Sequence, residues 1–290
     1  MSSCSPEAYY KVFLKDGQCF SREDVRAISE ALDMPSDSSM RSIGLALGID
    51  DPTEWSSHPL IMGNETLYNM LEERLRPRMP RSWIARPTTW LNNNDIHEVL
   101  SQYSSHWKDF FFLGVHPRDF EAYYKNTGAR DVRDVVKTNF DKWESEGLRR
   151  FGVVFNLDSY KQSGSHWVAC FISLNESSAL HGVYYYDSFA RPPPPEIARW
   201  MMNIHKKLSK ANPRVIYNIS FNTTRRQFLH SECGMYCIIF MTRALVAGNK
   251  RAGFKQICEN MPDDAHVLDM RDVFFRPPKP NTKMCVGNVC

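Results

Sequence analysis

Glycine and proline are scarce, 14 and 17 of 290 residues, which excludes collagen-like and low-complexity chains. Charge imbalance is small: 36 Lys and Arg face 33 Asp and Glu, for a net charge of +3. A dedicated nucleic-acid binder would carry a larger basic excess. Long apolar runs are missing. The longest candidate, CIIFMTRALVAG, is broken by Arg243, so no membrane span is expected. The opening stretch MSSCSPEAYYKVFLKDGQ holds no apolar run of signal-peptide length. Cysteine is thin, 8 residues scattered from Cys4 to Cys290. With no leader, free thiols are expected rather than a disulfide framework.

Apolar residues make up 42% of the chain, enough for one large domain or two modest ones. Residues 1–76 are expected to form a helical arm. In SREDVRAISEALD, Ser21 can cap a helix that places Val25, Ile28 and Leu32 on one face. A second helix is predicted from Asn64, with Leu67, Met70, Leu71 and Leu75 on one side. Three prolines in RPRMPRSWIARP exclude an ordinary helix, so residues 77–87 are expected to be a linker. Its arginines (Arg78, Arg81, Arg86, with Arg76 at its edge) offer a candidate surface for weak nucleic-acid contact.

Residues 88–290 change texture. A helix is predicted through Ile96, Val99, Leu100 and Tyr103. From residue 150 onward FGVVFNL, HWVACFIS, GVYYYDS and RVIYNIS are short, β-branched and aromatic, and bounded by turn residues. Between the third and fourth runs, EIARWMMNIHKKLSK reads as a helix introduced by prolines 192–195. SECGMYCIIFMTRALVAG reads as a helix apolar on nearly every face, as one buried against a sheet must be. The fold class is α+β.

The chemistry starts at Cys233. It lies where loop turns into helix, and unpaired N–H groups at a helix N-terminus favour a thiolate. Gly234 lets substrate backbone approach. A thiol nucleophile needs a base. His166 opens one predicted strand and Asp187 closes the next, so a hairpin would set them side by side, the carboxylate orienting the imidazole. Gln227, six residues before Cys233, can donate to an oxyanion beside the Cys233 N–H. Zinc at Cys233, Cys237 and His230 is disfavoured by the apolar helix and the missing second ligand pair, so no metal and no cofactor are expected.

His-Trp at 166–167, Asp-Ser at 187–188 and Gln-(five residues)-Cys-Gly at 227–234 resemble the ubiquitin-like-protein protease and adenain clan. So does WLNNNDIHEVLSQY at 90–103, although Asn93 stands where that clan usually has an acid and Asp95 comes two positions later. FGVVFN, GSHWVA, the proline-rich turn before IARWM, and ECGMY resemble the polyprotein-processing branch found in large cytoplasmic DNA viruses such as African swine fever virus. Asp187 agrees with the wider clan, whereas the swine fever virus enzyme has Asn there.

The resemblance implies a papain-like fold with a central, mostly antiparallel sheet flanked by helices, the nucleophile at a buried helix N-terminus, and a helical N-terminal arm. It implies a cysteine endopeptidase cutting after Gly-Gly-type sites in viral core polyproteins during virion maturation. His166 and Cys233 would be base and nucleophile, Gln227 the oxyanion donor and Asp187 the orienting residue. Trp167 and Trp90 would line a channel narrow enough to select glycine. The partner would be a polypeptide, and the location host cytoplasm and virion, or otherwise a soluble intracellular setting. A deconjugase of SUMO or another ubiquitin-like modifier is the alternative within enzymes. An inactive scaffold binding a glycine-tailed partner is the alternative outside them.

Overall fold

The structure, a computed structural model, describes residues 20–247 and 253–278. Cys4, Cys19, Cys285 and Cys290 lie outside them. The four described cysteines are free and buried. No helix among the described residues is long and apolar enough to cross a membrane.

The described residues divide into two compact units, one up to Pro87 together with the stretch from Asp272, and the other from Thr88 to Arg271. In the first, the predicted helices form at Arg22–Ala31, capped by Ser21, and at Glu65–Arg74, capped by Asn64. Phe20, Ile28, Ile43, Trp55, Leu67 and Leu71 make its core. The expected 77–87 linker is part of this unit. Arg276 donates its N–H to the Pro77 carbonyl and accepts from the Met79 N–H (2.8 and 2.9 Å), and Trp83 packs edge-on against Phe275. The compact partner of the linker is thus the segment after Arg271, so the expected 88–290 unit ends short of its C-terminal stretch. Arg76 is buried and donates to the Val273 carbonyl (2.7 Å), and Arg78 pairs with Glu54 (3.0 Å). Two of the four arginines considered for nucleic-acid contact are therefore engaged internally.

The second unit holds a five-stranded sheet in sequence order: β1 (Phe110–Pro117), β2 (Arg150–Asn156), β3 (Trp167–Ser173), β4 (Gly182–Tyr186) and β5 (Asn218–Phe221). The sheet is mixed rather than mostly antiparallel. The β2–β3 and β3–β4 pairs are antiparallel, while β1–β2 and β4–β5 are parallel. Both parallel pairs follow long connections carrying helices, which parallel pairing requires.

Every residue of β2, β3 and β4 is buried, because both faces of the sheet are covered. Phe151, Val153, Val168, Cys170, Val183 and Tyr185 face one way, into a core with Ile197, Trp200, Met201 and Ile204 of the Pro195–Ala211 helix. The opposite face meets the Cys233–Ala247 helix, where Tyr186 stacks on Phe240 with centroids 4.7 Å apart. That helix lies so close that a Cβ at Gly152 would come 2.5 Å from the Met241 sulfur. The all-round apolar sequence of the helix is explained by this central placement.

Candidate active site

The β3–β4 register pairs Ala169 with Tyr186. Continued outward, it puts His166 just before β3 opposite Phe189 just after β4, with Asp187 one diagonal step away. The His166 ring nitrogen Nε2 lies 2.6 Å from Asp187 Oδ1. A carboxylate only accepts, so Nε2 carries the proton and Nδ1 is left for the thiol. Cys233 lies close enough to His166 to act on its charge. Burial pulls the imidazolium down, but the hydrogen bond to Asp187 and the attraction of the Cys233 and Asp187 charges outweigh it and raise the pKa of His166 to about 9.

Asp187 is fully buried and held on several sides. Its Oδ1 accepts from the Phe189 N–H (2.9 Å) and its Oδ2 from the Arg191 N–H (3.3 Å). Its own N–H donates to Asn222 Oδ1 (2.8 Å), whose amide returns a bond to the Asp187 carbonyl (2.7 Å). The carboxylate is therefore oriented before any substrate arrives.

Cys233 is buried and is the first residue of its helix. Glu232, just before it, is buried in a two-pronged ion pair with Arg271 (2.9 and 3.1 Å). Arg271 also donates to the Thr89 carbonyl (2.7 Å). Burial raises the Glu232 pKa, and Arg271 offsets part of that rise.

Gln227 is fully buried. Its Oε1 accepts from the Ser188 hydroxyl (2.6 Å) and its Nε2 donates to the Leu229 carbonyl (2.8 Å). The Tyr236 hydroxyl, one turn into the Cys233 helix, donates to the Arg226 carbonyl (2.8 Å). That bond ties the Gln227 loop to the helix that carries the thiol. Ser188 thus sits between the carboxylate and the glutamine in sequence and fixes the latter's amide. The Asp-Ser pair at 187–188 was the available signal for it.

Trp167 and Trp90 line one cleft of about 520 Å³, together with Asn93, His116, Asn156 and Tyr160. Trp90 is 45% exposed, while the Trp167 indole N–H is fixed on the Leu91 carbonyl (2.9 Å). Asn93 faces the cleft, whereas Asp95 closes a capping box with Asn92 at the start of the Asn93–His106 helix. Gly234 has a different role from the one expected. A Cβ there would meet Leu91 Cβ at 3.0 Å, Ile96 Cδ1 at 3.2 Å and Trp167 Cδ1 at 3.4 Å. Its small size serves the approach of protein to protein, since neighbouring side chains fill the space a substrate would need.

The sequence profile of the Ulp1 protease family, C-terminal catalytic domain, matches residues 152–272. Residues 152–272 thus carry a match to a cysteine protease catalytic domain. A putative thiol protease of Acanthamoeba polyphaga mimivirus is 28% identical over 225 residues, covering 76% of this chain and 67% of that one. A cysteine protease of African swine fever virus is 26% identical over 209 residues, covering 69% and 74%. A crystal structure of the swine fever virus protease matches with a TM-score of 0.64 at 24% identity, over 95% of this chain and 96% of that one. The fold is accordingly similar to that of the swine fever virus protease. Phe189, which stacks on His166 with centroids 4.7 Å apart, and Arg271, which pairs with Glu232, were not anticipated from sequence. The β3–β4 register could have found the first. The second lies 39 residues from its partner and carries no local signal.

Proposed function

We propose that this protease cuts after Gly-Gly-type sites in viral core polyproteins during virion maturation, in host cytoplasm and virion, with Cys233 as nucleophile. The observation that carries the reading is the 2.6 Å bond between His166 and Asp187, with Cys233 beside them as the first residue of a buried helix. Nδ1 of His166 takes the thiol proton, giving a thiolate and an imidazolium held by Asp187. The thiolate attacks the carbonyl carbon after glycine, and the carbonyl oxygen becomes an oxyanion. The Cys233 N–H and the second amide proton of Gln227 donate to it. The imidazolium then protonates the leaving amine as the C–N bond breaks. Water, deprotonated by His166, hydrolyses the thioester and frees the thiol. Trp90 and Trp167 wall the cleft that takes the residues before the cut. Selection of glycine is assigned to these two indoles as walls of that cleft.

The experiment is incubation of the full chain with candidate viral polyproteins and sequencing of the new N-termini, with Cys233→Ala as control. New N-termini directly after Gly-Gly, absent with Cys233→Ala, are expected. Cleavage that persists in Cys233→Ala sinks the assignment. A parallel arm with SUMO conjugates tests the deconjugase reading, which the Ulp1-family match itself favours. Efficient release of SUMO with no polyprotein cleavage would put that reading first.

A further inference from the structure

The ring of Phe189 is stacked on the His166 imidazole, with the two planes 24° apart. Two guanidinium groups rest on the same ring, Arg191 at 5.1 Å and Arg225 at 5.0 Å from its centroid. Arg225 also lies 4.9 Å from the Phe228 centroid. Both arginines are exposed, and Phe228 is 65% exposed. We propose that Phe189, Arg191, Arg225 and Phe228 form a subsite for an acidic side chain within the first three residues after the scissile bond. This rests on the proposed function, because it takes the Trp90–Trp167 cleft as the place of the residues before the cut.

Sheet order supplies the direction. The cleft draws on Val115 and Pro117 of β1, Asn156 of β2 and Trp167 of β3. Phe189 follows β4, and Arg225 and Phe228 follow β5. The two features therefore lie toward opposite edges of the sheet from His166. A chain lying in the cleft and crossing Cys233 continues over the Phe189 ring. Three extended residues span roughly 10 Å, which matches one ring contact from His166 to Phe189 and one more from Phe189 to either arginine.

The subsite is rigid. The Phe189 and Arg191 N–H groups are both bound by the Asp187 carboxylate. Ala190 between them holds a left-handed φ of 58°, a strained conformation that surrounding contacts must maintain. Four prolines at 192–195 then fix the chain's exit. Arg225 donates Nε–H to the Gln227 carbonyl (2.7 Å). The Phe228 and Leu229 N–H groups are bound by Asp264 Oδ2 (2.7 and 2.9 Å). Little side-chain or loop freedom is left to lose on binding.

The charge is uncompensated. Among the described residues neither Arg191 nor Arg225 has a carboxylate ion-pair partner, and their side chains lie against the aromatic rings and the Gln227 carbonyl. The nearby acids are occupied, Asp187 by the imidazole and two amides, Asp264 by two amides. Two cations sharing one ring repel each other, and an incoming carboxylate between them relieves that repulsion while its stem rests on Phe189 or Phe228.

The test is a peptide library of proteome origin, cleaved by the wild-type chain and by Arg191→Glu/Arg225→Glu, with all cut sites sequenced. Residues before the cut report the glycine reading, and residues after it report the subsite. Wild type is expected to enrich Asp and Glu roughly three- to tenfold at one of the first three positions. The enrichment should shrink at high salt, and the double variant should lose it or favour Lys and Arg. The readout is the shape of the profile, so a variant that is merely slower does not mimic the effect. Glycine before the cut with no acidic preference after it overturns the subsite alone. Acidic preference without glycine overturns the glycine reading alone. A wild-type chain that cuts nothing in the library overturns both.

Discussion

Replacing Asp187 by Asn separates the two things the carboxylate does for His166. The Asn side-chain oxygen can take the place of Oδ1 and still accept from His166 Nε2 and from the Phe189 N–H, which now lie 2.6 and 2.9 Å away. Its NH2 would replace Oδ2, where the only partner lost is the weaker Arg191 N–H at 3.3 Å. Geometry is therefore kept and charge is removed. A hydrogen bond to an ionised partner is worth roughly 1–2 kcal/mol more than a neutral one. With about 1.4 kcal/mol per factor of ten, kcat/KM on a glycine-ending peptide should fall roughly five- to thirtyfold. Asp187→Ala removes the orienting bond as well and strands two backbone N–H groups beside the strained Ala190, so its loss should exceed that of Asn by a further tenfold or more.

The pH dependence has a defined sign. The His166 pKa is raised from 6.5 to about 9 in the folded chain. Its protonation therefore stabilises the fold fully below about pH 6.5, and the stabilisation is lost as pH rises through about 9. The wild-type melting temperature should fall across that window. In Asp187→Asn the alkaline limb of kcat/KM should move toward neutrality and the melting curve should flatten. Equal activity and an unmoved alkaline limb in Asp187→Asn would refute the claim that carboxylate charge holds the imidazolium.

Ser188→Ala frees Gln227 Oε1, now fixed by a 2.6 Å bond, and should lower kcat about three- to tenfold with KM little changed, read by steady-state kinetics. Gly234→Ala places a methyl group 3.0 Å from Leu91 Cβ and should cost about 1–3 kcal/mol of stability in denaturant titration. Glu232→Gln leaves the Arg271 guanidinium buried without its carboxylate and should cost about 3 kcal/mol by the same measurement; an unchanged midpoint would show that the pair is not needed to hold the start of the Cys233 helix.

How much of this could be read from sequence depended on whether the signal was local. Ser21 and Asn64 are caps, and a cap acts on the next three residues, so both helices were placed from their first residue. His166 and Asp187 were joined by one inference, that two adjacent β-rich runs form a hairpin, and a hairpin brings strand start beside strand end. β1 was missed because FFFLGVHP is a short continuous apolar run without alternation, and such a run reads equally as the tail of a helix. The sheet's parallel edges were missed with it, since pairing direction depends on where a crossover lands and not on the strand's own residues.

Gly234 shows a different limit. A glycine after a nucleophile has two physical explanations, room for substrate and room for protein, and composition does not separate them. Only the positions of Leu91, Ile96 and Trp167 around it do so. Phe189 lies between these extremes. Its place opposite His166 follows from the hairpin register that joins His166 to Asp187, so its contact with the imidazole was implicit in the same inference. What the register does not contain is the pair of arginines against that ring, because Arg225 arrives from beyond β5, 34 residues past Arg191 in the numbering. The proposed reacting groups were legible because they lie at the ends of two adjacent strands and one helix. The surface that meets the rest of the substrate is assembled from loops that only the folded chain brings together, and there specificity has to be read from the structure.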